Sequence, residues 1–247
     1  MSTKKIRPYD QQGVAITCRS FTEYARMFSL DEKLIQREVI LDIAAGASSF
    51  TTEATERGNK SYAIDPRYEF SPEELIPIAQ EEIQVSTEKL TRLQDQFEWS
   101  YYGSIEQHQQ NRLASLRLFQ PHYESDWSKP ERVYVPACLP NLPFENNKFS
   151  LIICSHFLFL YQKQFDFSFH LESLLEMIRV CRPGGQIRIY PLVTLSFEPY
   201  PQLDTLISLI RSEDIMINYI PSNLPFIPSA SPVLCIRKND ISNKLSE

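Results

Sequence analysis

The chain has 247 residues, 43% of them hydrophobic, with a formal net charge of −6 at pH 7, enough apolar material for one large α/β domain, or a domain with a small cap. The acidic balance argues against a nucleic-acid partner, which calls for a basic face to offset phosphates. No apolar run is long enough to cross a bilayer, the start M-S-T-K-K-I-R-P-Y lacks the core of a signal peptide, and the five cysteines hold no C-x-x-C pair, so a cytoplasmic protein with reduced thiols and no membrane contact is expected.

Residues 1–18 read as a loose arm. Phe21, Tyr24, Ala25 and Phe28 then recur at helical spacing, and a second short helix is expected over 30–37. Val39, Ile40, Leu41 and Ile43 form a near-continuous apolar run, as in a strand buried on both faces, interrupted by Asp42. The small residues Ala44, Ala45, Gly46, Ala47 and Ser48 follow, letting the backbone turn sharply and a ligand come close. A helix is predicted over 50–57, with Ser48 or Ser49 as N-cap, Glu53 in the first turn and Gly58 as the stop. A strand over 61–64 delivers Asp65, completing the first half of a nucleotide-binding Rossmann-type unit in which that carboxylate accepts from both ribose hydroxyls. A dinucleotide fingerprint would put glycines at 44, 46 and 49, where only Gly46 survives, which leaves an NAD-dependent oxidoreductase as the less favoured reading.

Pro66 offers an apolar face to adenine. The stretch 67–131 is longer than a Rossmann crossover needs, and Ile83, Leu90, Leu93 and Phe97 share one helical face while Ile105, Leu113, Leu116 and Phe119 suggest another. We read 71–127 as an inserted helical cap over the strand ends, with Trp99, Tyr101 and Tyr102 either shaping a substrate pocket or packing cap to core. His108, Arg112, Arg117 and His122 read as solvated helix-face residues. Strands are expected over 133–135 and 151–154, the second ending in S-H-F-L-F-L-Y. A helix over 169–180 with Leu171, Leu174, Leu175 and Ile178 inward leads into R-V-C-R-P-G-G, where Pro183 ends the helix and Gly184 and Gly185 reverse the chain into a strand over 187–190. A helix over 203–211, strands over 215–220 and 233–237, and a frayed tail over 238–247 complete the chain. The four histidines are scattered and no paired Cys spacing occurs, so no metal site is expected.

Three stretches carry a resemblance. Asp42, Ala44, Gly46 and Ser48 stand where the class I S-adenosylmethionine-dependent methyltransferases have acid-x-G-x-G-x-G; Leu142, Pro143 and Phe144 give their L-P-F; and the P-G-G turn precedes their fifth strand. The resemblance implies a seven-stranded Rossmann-like methyltransferase sheet, mostly parallel with an antiparallel last strand and helices on both faces, interrupted here by the helical cap. It implies residues 1–38 covering the donor site and a methyltransferase domain over 39–240, with S-adenosylmethionine as donor and S-adenosylhomocysteine as product. The donor contacts it implies are Asp42, Ala44, Gly46, Ser48, Asp65, Pro66, Ala137, Cys138, Cys154 and Ser155, with Tyr24 and Arg26 reaching the methionine carboxylate. His156 and Tyr161, just past the fourth strand, are the candidates for chemistry, His156 as a base where the acceptor arrives protonated. Methyl transfer is an in-line displacement, so positioning and exclusion of water are the main tasks. A small-molecule acceptor is the expected partner, with protein or RNA acceptors and the oligomeric state left open. Ala44, Ser48, Pro136 and Ser150 depart from the family pattern, which keeps a catalytically silent binding protein of the same fold as an alternative.

Overall fold

The computed structural model describes residues 6–240 except 32, 37 and 230; residues 1–5 of the expected arm and 241–247 of the expected tail lie outside the described residues. Seven strands form one sheet: β1 (Val39–Ile43), β2 (Lys60–Ile64), β3 (Tyr134–Val135), β4 (Phe149–Ser155), β5 (Cys181–Tyr190), β6 (Ile215–Ile220) and β7 (Val233–Lys238), in the order β3-β2-β1-β4-β5-β7-β6. The first five in that row are parallel, whereas β7 runs antiparallel between β5 and β6. Alternation along the central strands assigns their side chains to two layers. Ile40, Leu151 and Ile153 face the helices α1 (Phe21–Met27) and α2 (Phe50–Glu56). Leu41, Ile43, Ile152 and Cys154 face α5 (Phe167–Val180) and α6 (Leu203–Ile210). Asp42, in the middle of β1, is fully buried between these layers.

Several expectations change on folding. The segment expected as a loose arm is held to the body from Arg7 onward, Arg7 bonding Gln96 and Asp95 and the Tyr9 amide donating to the Leu195 carbonyl, with Ile16 and Cys18 buried. Over 30–37 the described residues make a turn rather than a helix, and residues 32 and 37 lie outside them. The buried stripe of α5 runs through His170, Ser173, Leu174, Met177 and Val180, while Leu175 is exposed, because the helix is rotated to set Met177 and Val180 on the sheet. The P-G-G segment is a bulge inside β5: Phe149 pairs Cys181, but Leu151 already pairs Gln186. Glycine is required at 185, where a Cβ would lie 2.8 Å from the Arg182 carbonyl oxygen.

The stretch expected as an inserted cap is two long helices, α3 (Pro72–Leu93) and α4 (Ile105–Trp127). The second half of α4 doubles as the crossover into β3, with Phe119 and Tyr123 fully buried against Tyr68 and Tyr134. Only the first half of α4, with α3, overhangs the strand ends. His108 and Arg112 on that half are buried, at 4% and 5% exposure, and not solvated as their polarity suggests. Arg117 is exposed, and His122 is half-buried with Nδ1 2.9 Å from the Tyr134 hydroxyl.

Candidate functional site

The turn after β1 is held open by its neighbours. Ala44 and Gly46 both take positive φ, 54° and 59°, a region in which glycine is at ease and alanine is strained. The Gly46 amide donates to Asp65 Oδ2 (3.3 Å) and its carbonyl accepts from the Tyr68 hydroxyl (2.7 Å). Asp65 Oδ1 accepts from the Arg67 amide (3.0 Å), so both oxygens are oriented while each keeps accepting capacity. Burial pushes this carboxyl above its ordinary value, against the amides of Arg67 and Gly46 and the Arg67 guanidinium.

Across this turn lies a strap, residues 14–19. Its Thr17 carbonyl accepts from the Ala47 amide (3.0 Å) and the Ser48 hydroxyl (3.2 Å), and its Arg19 carbonyl accepts from the Ser49 amide (3.1 Å). The Arg19 amide donates back to Ser48 Oγ (3.1 Å). Ser48 thus ties down the strap, and Ser49, at the N-cap of α2 without capping it, bonds Glu53 instead. Gly46 is indispensable here, since a Cβ would stand 2.7 Å from the Thr17 carbonyl oxygen. Tyr161 fixes the strap from the other side, its hydroxyl accepting from the Ala15 amide (3.1 Å).

Two cavities open at the carboxyl ends of the strands, on the two sides of the strap. The larger, about 370 Å³, is lined by Ile43, Ala44, Asp65, Pro66, Ala137 and Cys138, with Val14, Phe165 and Phe169 closing it. It sits where β1, β2 and the chain leaving β3 end, the place at which open α/β sheets take ligands. The second, about 120 Å³, is bordered by Arg19, His108, Arg112, His156 and Tyr161 among aromatic and aliphatic walls.

Near these cavities lies a group of buried polar side chains with spare bonding capacity: the Tyr24 hydroxyl, which interacts with Asp42 and Ser48, the Asp42 carboxyl, whose side-chain partner is that hydroxyl, and one terminal nitrogen of Arg19 without an acceptor. Burial raises the Asp42 carboxyl well above its ordinary value, and the charge of Asp65 adds to this against Tyr24 and Arg19. A buried carboxyl with one hydroxyl partner and a guanidinium nitrogen with none leave acceptor and donor capacity that a polar ligand can fill.

A second network supports them. Ser20 and Glu23 form a capping box at α1, and Glu23 Oε1 accepts from Arg112 (2.6 Å) and the Tyr102 hydroxyl (2.5 Å). Burial pushes the Glu23 carboxyl up, but Arg112, Tyr102 and the Ser20 amide outweigh it and hold it below the usual range. His156 stands at φ 50° after β4, with Nδ1 3.1 Å from Ser155 Oγ, which itself donates to Met27 Sδ. The Ser155 hydroxyl and Nδ1 share one hydrogen bond, so Nε2 is the ring nitrogen left for a ligand. Burial, and then the charges of Arg19 and Arg112, hold this imidazole well below its ordinary pKa and therefore neutral.

Of the residues singled out in the sequence, Ala44, Asp65, Pro66, Ala137 and Cys138 border the larger cavity and His156 and Tyr161 the smaller, whereas Tyr24, Asp42, Gly46 and Ser48 border neither. Tyr24 is fully buried with its hydroxyl beside Asp42, whereas Arg26 is exposed on the opposite side of α1, over the Tyr101 ring at 5.2 Å. Two positions differ by about 200° around a helix, so both cannot face one ligand. Cys154 lies in the sheet core, its thiol pushed up to about 12 by burial, and Ser155 beneath His156; neither borders a cavity. The aromatic group divides: Phe97 lines the smaller cavity, while Trp99 packs on Phe226 and His108, and Tyr102 joins the Glu23 network. Arg19, Glu23, His108 and Arg112 were not foreseen as site residues. The S-F-T-E capping box at 20–23 was the one signal that could have drawn attention to Glu23.

The strand order with one reversed strand is that of the class I, Rossmann-like methyltransferase sheet. No family model matches the chain. An uncharacterized protein of Methanocaldococcus jannaschii is 27% identical over 234 residues, covering 94% of this chain and 100% of that one. Among solved structures, the 1,6-didemethyltoxoflavin-N1-methyltransferase of Burkholderia thailandensis, with bound 1,6-didemethyltoxoflavin and S-adenosylhomocysteine, superposes with a TM-score of 0.46 at 16% identity, over 89% of this chain and 77% of that one. A protein of Pyrococcus horikoshii gives 0.48 at 11% identity (89% and 91%), and a TehB-like S-adenosylmethionine-dependent methyltransferase of Corynebacterium glutamicum 0.46 at 13% (84% and 86%).

Proposed function

We propose that this protein is an S-adenosylmethionine-dependent methyltransferase with a small-molecule acceptor, working in the cytoplasm without nucleic-acid or membrane partners. The observation that carries the reading is the nucleoside-sized cavity edged by Asp65, Pro66, Ala137 and Cys138, with the buried Tyr24–Asp42 pair near it. Those groups fit the donor's polar parts: Asp65 takes the ribose hydroxyls, Pro66, Ala137 and Cys138 flank the base, Asp42 pairs with the ammonium, and Tyr24 donates to the carboxylate. Ala44 and Gly46 keep the approach free of side-chain bulk. When bound, the donor supplies a sulfonium methyl whose bond to sulfur breaks with its electron pair left on sulfur as the acceptor's lone pair bonds to carbon.

The chain's own residues have three tasks. The strap and the overhanging helices exclude water. Arg112, fixed by Glu23, backs the second cavity, in which the acceptor is held against the donor side. His156 presents Nε2 as a hydrogen-bond acceptor to an incoming N–H or O–H. It takes that proton only when an anion offsets the two arginines that oppose its charging. Tyr161, whose phenol burial raises, orients through its O–H and keeps its proton.

Calorimetric titration with S-adenosylhomocysteine and a tritiated-methyl transfer assay against small molecules of a cell extract test this. Binding with labelled product is the expected result. Binding without product moves the assignment to a silent binding protein, and tighter binding of NADH than of S-adenosylhomocysteine overturns it.

A further inference from the structure

The second cavity has the chemistry of one particular kind of guest. Its volume, about 120 Å³, compares with the ~150 Å³ apolar cavity that holds benzene, so it takes a single ring with a substituent. Tyr9, Phe97, Phe226, Leu90 and Leu160 wall it. Among the described residues no aspartate or glutamate borders it, although the chain as a whole is acidic.

The polar groups at its edge are donors. Arg19 is 8% exposed, one of its terminal nitrogens has no acceptor, and it makes no ion pair among the described residues. His108 Nε2 lies 3.1 Å from an Arg112 nitrogen, and a guanidinium can only donate. The histidine proton is therefore assigned to Nδ1, which is buried and unpartnered. Burial and the two arginines depress the His108 pKa to about 2, so this ring is neutral and offers one N–H. Arg112 also borders the cavity, but its terminal nitrogens are taken by the Cys18 carbonyl, Glu23, Tyr102 and His108.

Charge bookkeeping agrees. With a donor in place, its ammonium is matched by Asp42, its sulfonium by its own carboxylate, Asp65 by Arg67, Glu82 by Lys89 and Arg112 by Glu23. Arg19 feels Glu23 and Asp42 without forming an ion pair with either among the described residues, so an anion in the cavity is the close counter-ion it lacks.

We propose that the methyl acceptor is a monoanionic molecule of single-ring size, a monocyclic aromatic or heteroaromatic carboxylate or an equivalent oxyanion, held by Arg19 and His108 Nδ1–H with its ring against the wall that Phe97 and Phe226 form together. This deepens the methyltransferase reading and rests on it. The anion also offsets the positive field on His156, which is what lets that residue serve as a base.

The test is a calorimetric titration of the full-length protein with benzoate, benzamide and benzylamine, each with and without saturating S-adenosylhomocysteine. These probes share a ring and differ in charge. Benzoate is expected to bind at least tenfold tighter than the other two, and Arg19→Gln to abolish that preference. Ser86→Leu, which narrows the same cavity from α3, is expected to weaken all three probes at least fivefold. Equal or tighter binding of benzamide or benzylamine to the unmodified protein overturns the proposal without reference to any variant, as does a benzoate preference that survives in a folded Arg19→Gln protein. Benzoate preference in a protein that does not bind S-adenosylhomocysteine supports the anion site and overturns the methyltransferase reading instead; the converse pattern does the opposite.

Discussion

Replacing Gly46 by alanine probes the hold of the strap on the turn. The new methyl would have to occupy φ 59° and stand 2.7 Å from the Thr17 carbonyl oxygen and 2.9 Å from the Thr17 nitrogen. The backbone strain alone is about 1–2 kcal/mol. The steric conflict is with backbone, so the strap must lift. Lifting endangers four hydrogen bonds, Thr17 to Ala47 and Ser48 and Arg19 to Ser48 and Ser49, each worth about 1 kcal/mol net. If half to most of them are lost, the total is roughly 3–5 kcal/mol, or about 6–20 °C in Tm for a chain of this size. Gly58→Ala is the control: Gly58 has φ 86° but nothing within 4 Å of the added carbon, so it bears the strain without the collision. Scanning calorimetry of both variants, with limited proteolysis across residues 6–20, is the assay. Gly46→Ala should melt well below Gly58→Ala, expose the strap to cleavage and bind S-adenosylhomocysteine more weakly. Equal melting temperatures and an uncut strap would refute the reasoning.

Asp65→Ala should weaken S-adenosylhomocysteine binding by about 1–3 kcal/mol, five- to 150-fold, the scale of leaving hydroxyl partners unpaired; an unchanged dissociation constant in calorimetry removes Asp65 from the site. Glu23→Gln leaves Arg112 charged and buried with neutral partners only, which should cost about 3–5 kcal/mol and be read as a drop in Tm; a Tm within 2 °C, itself about 1 kcal/mol or less, would show that the pair is dispensable. Asp42 has a raised carboxyl pKa. Its protonated form is therefore favoured by folding, and the stability it adds is present below the unfolded value of about 3.9 and lost as pH rises towards the folded one. Pairing with the ligand's ammonium needs the ionised form, so S-adenosylhomocysteine should bind more tightly as pH rises through that folded value and release up to about one proton. Titrations in two buffers of different ionisation enthalpy measure the release, and Asp42→Asn should remove it; buffer-independent enthalpies would contradict the assignment.

What could be read along the chain was what local chemistry enforces. The apolar runs of β1 and β4 need burial on both faces, small residues must follow β1 for the turn to close, and an acid ends β2. All of these appear within a residue or two of the expected places. Arg26 failed because charge suggested a contact that helix geometry forbids for a residue two places from Tyr24. Leu175 failed similarly, since an apolar side chain on a helix does not say which way the helix is turned.

Sequence by itself determined the alternation of strands and helices, the direction of each strand that follows a crossover, and the cleft at which ligands meet the sheet, because each depends on periodicity or on a turn a few residues long. Tertiary structure alone decided that Arg19, His108 and Arg112 are buried. Their partners, Ser48, Phe226 and Glu23, lie tens of residues or more away, and burying a charge is tolerable only where such partners are brought together. Whether a polar residue is solvent-facing or part of a binding site is set by those distant contacts, and no pattern within one helix encodes them.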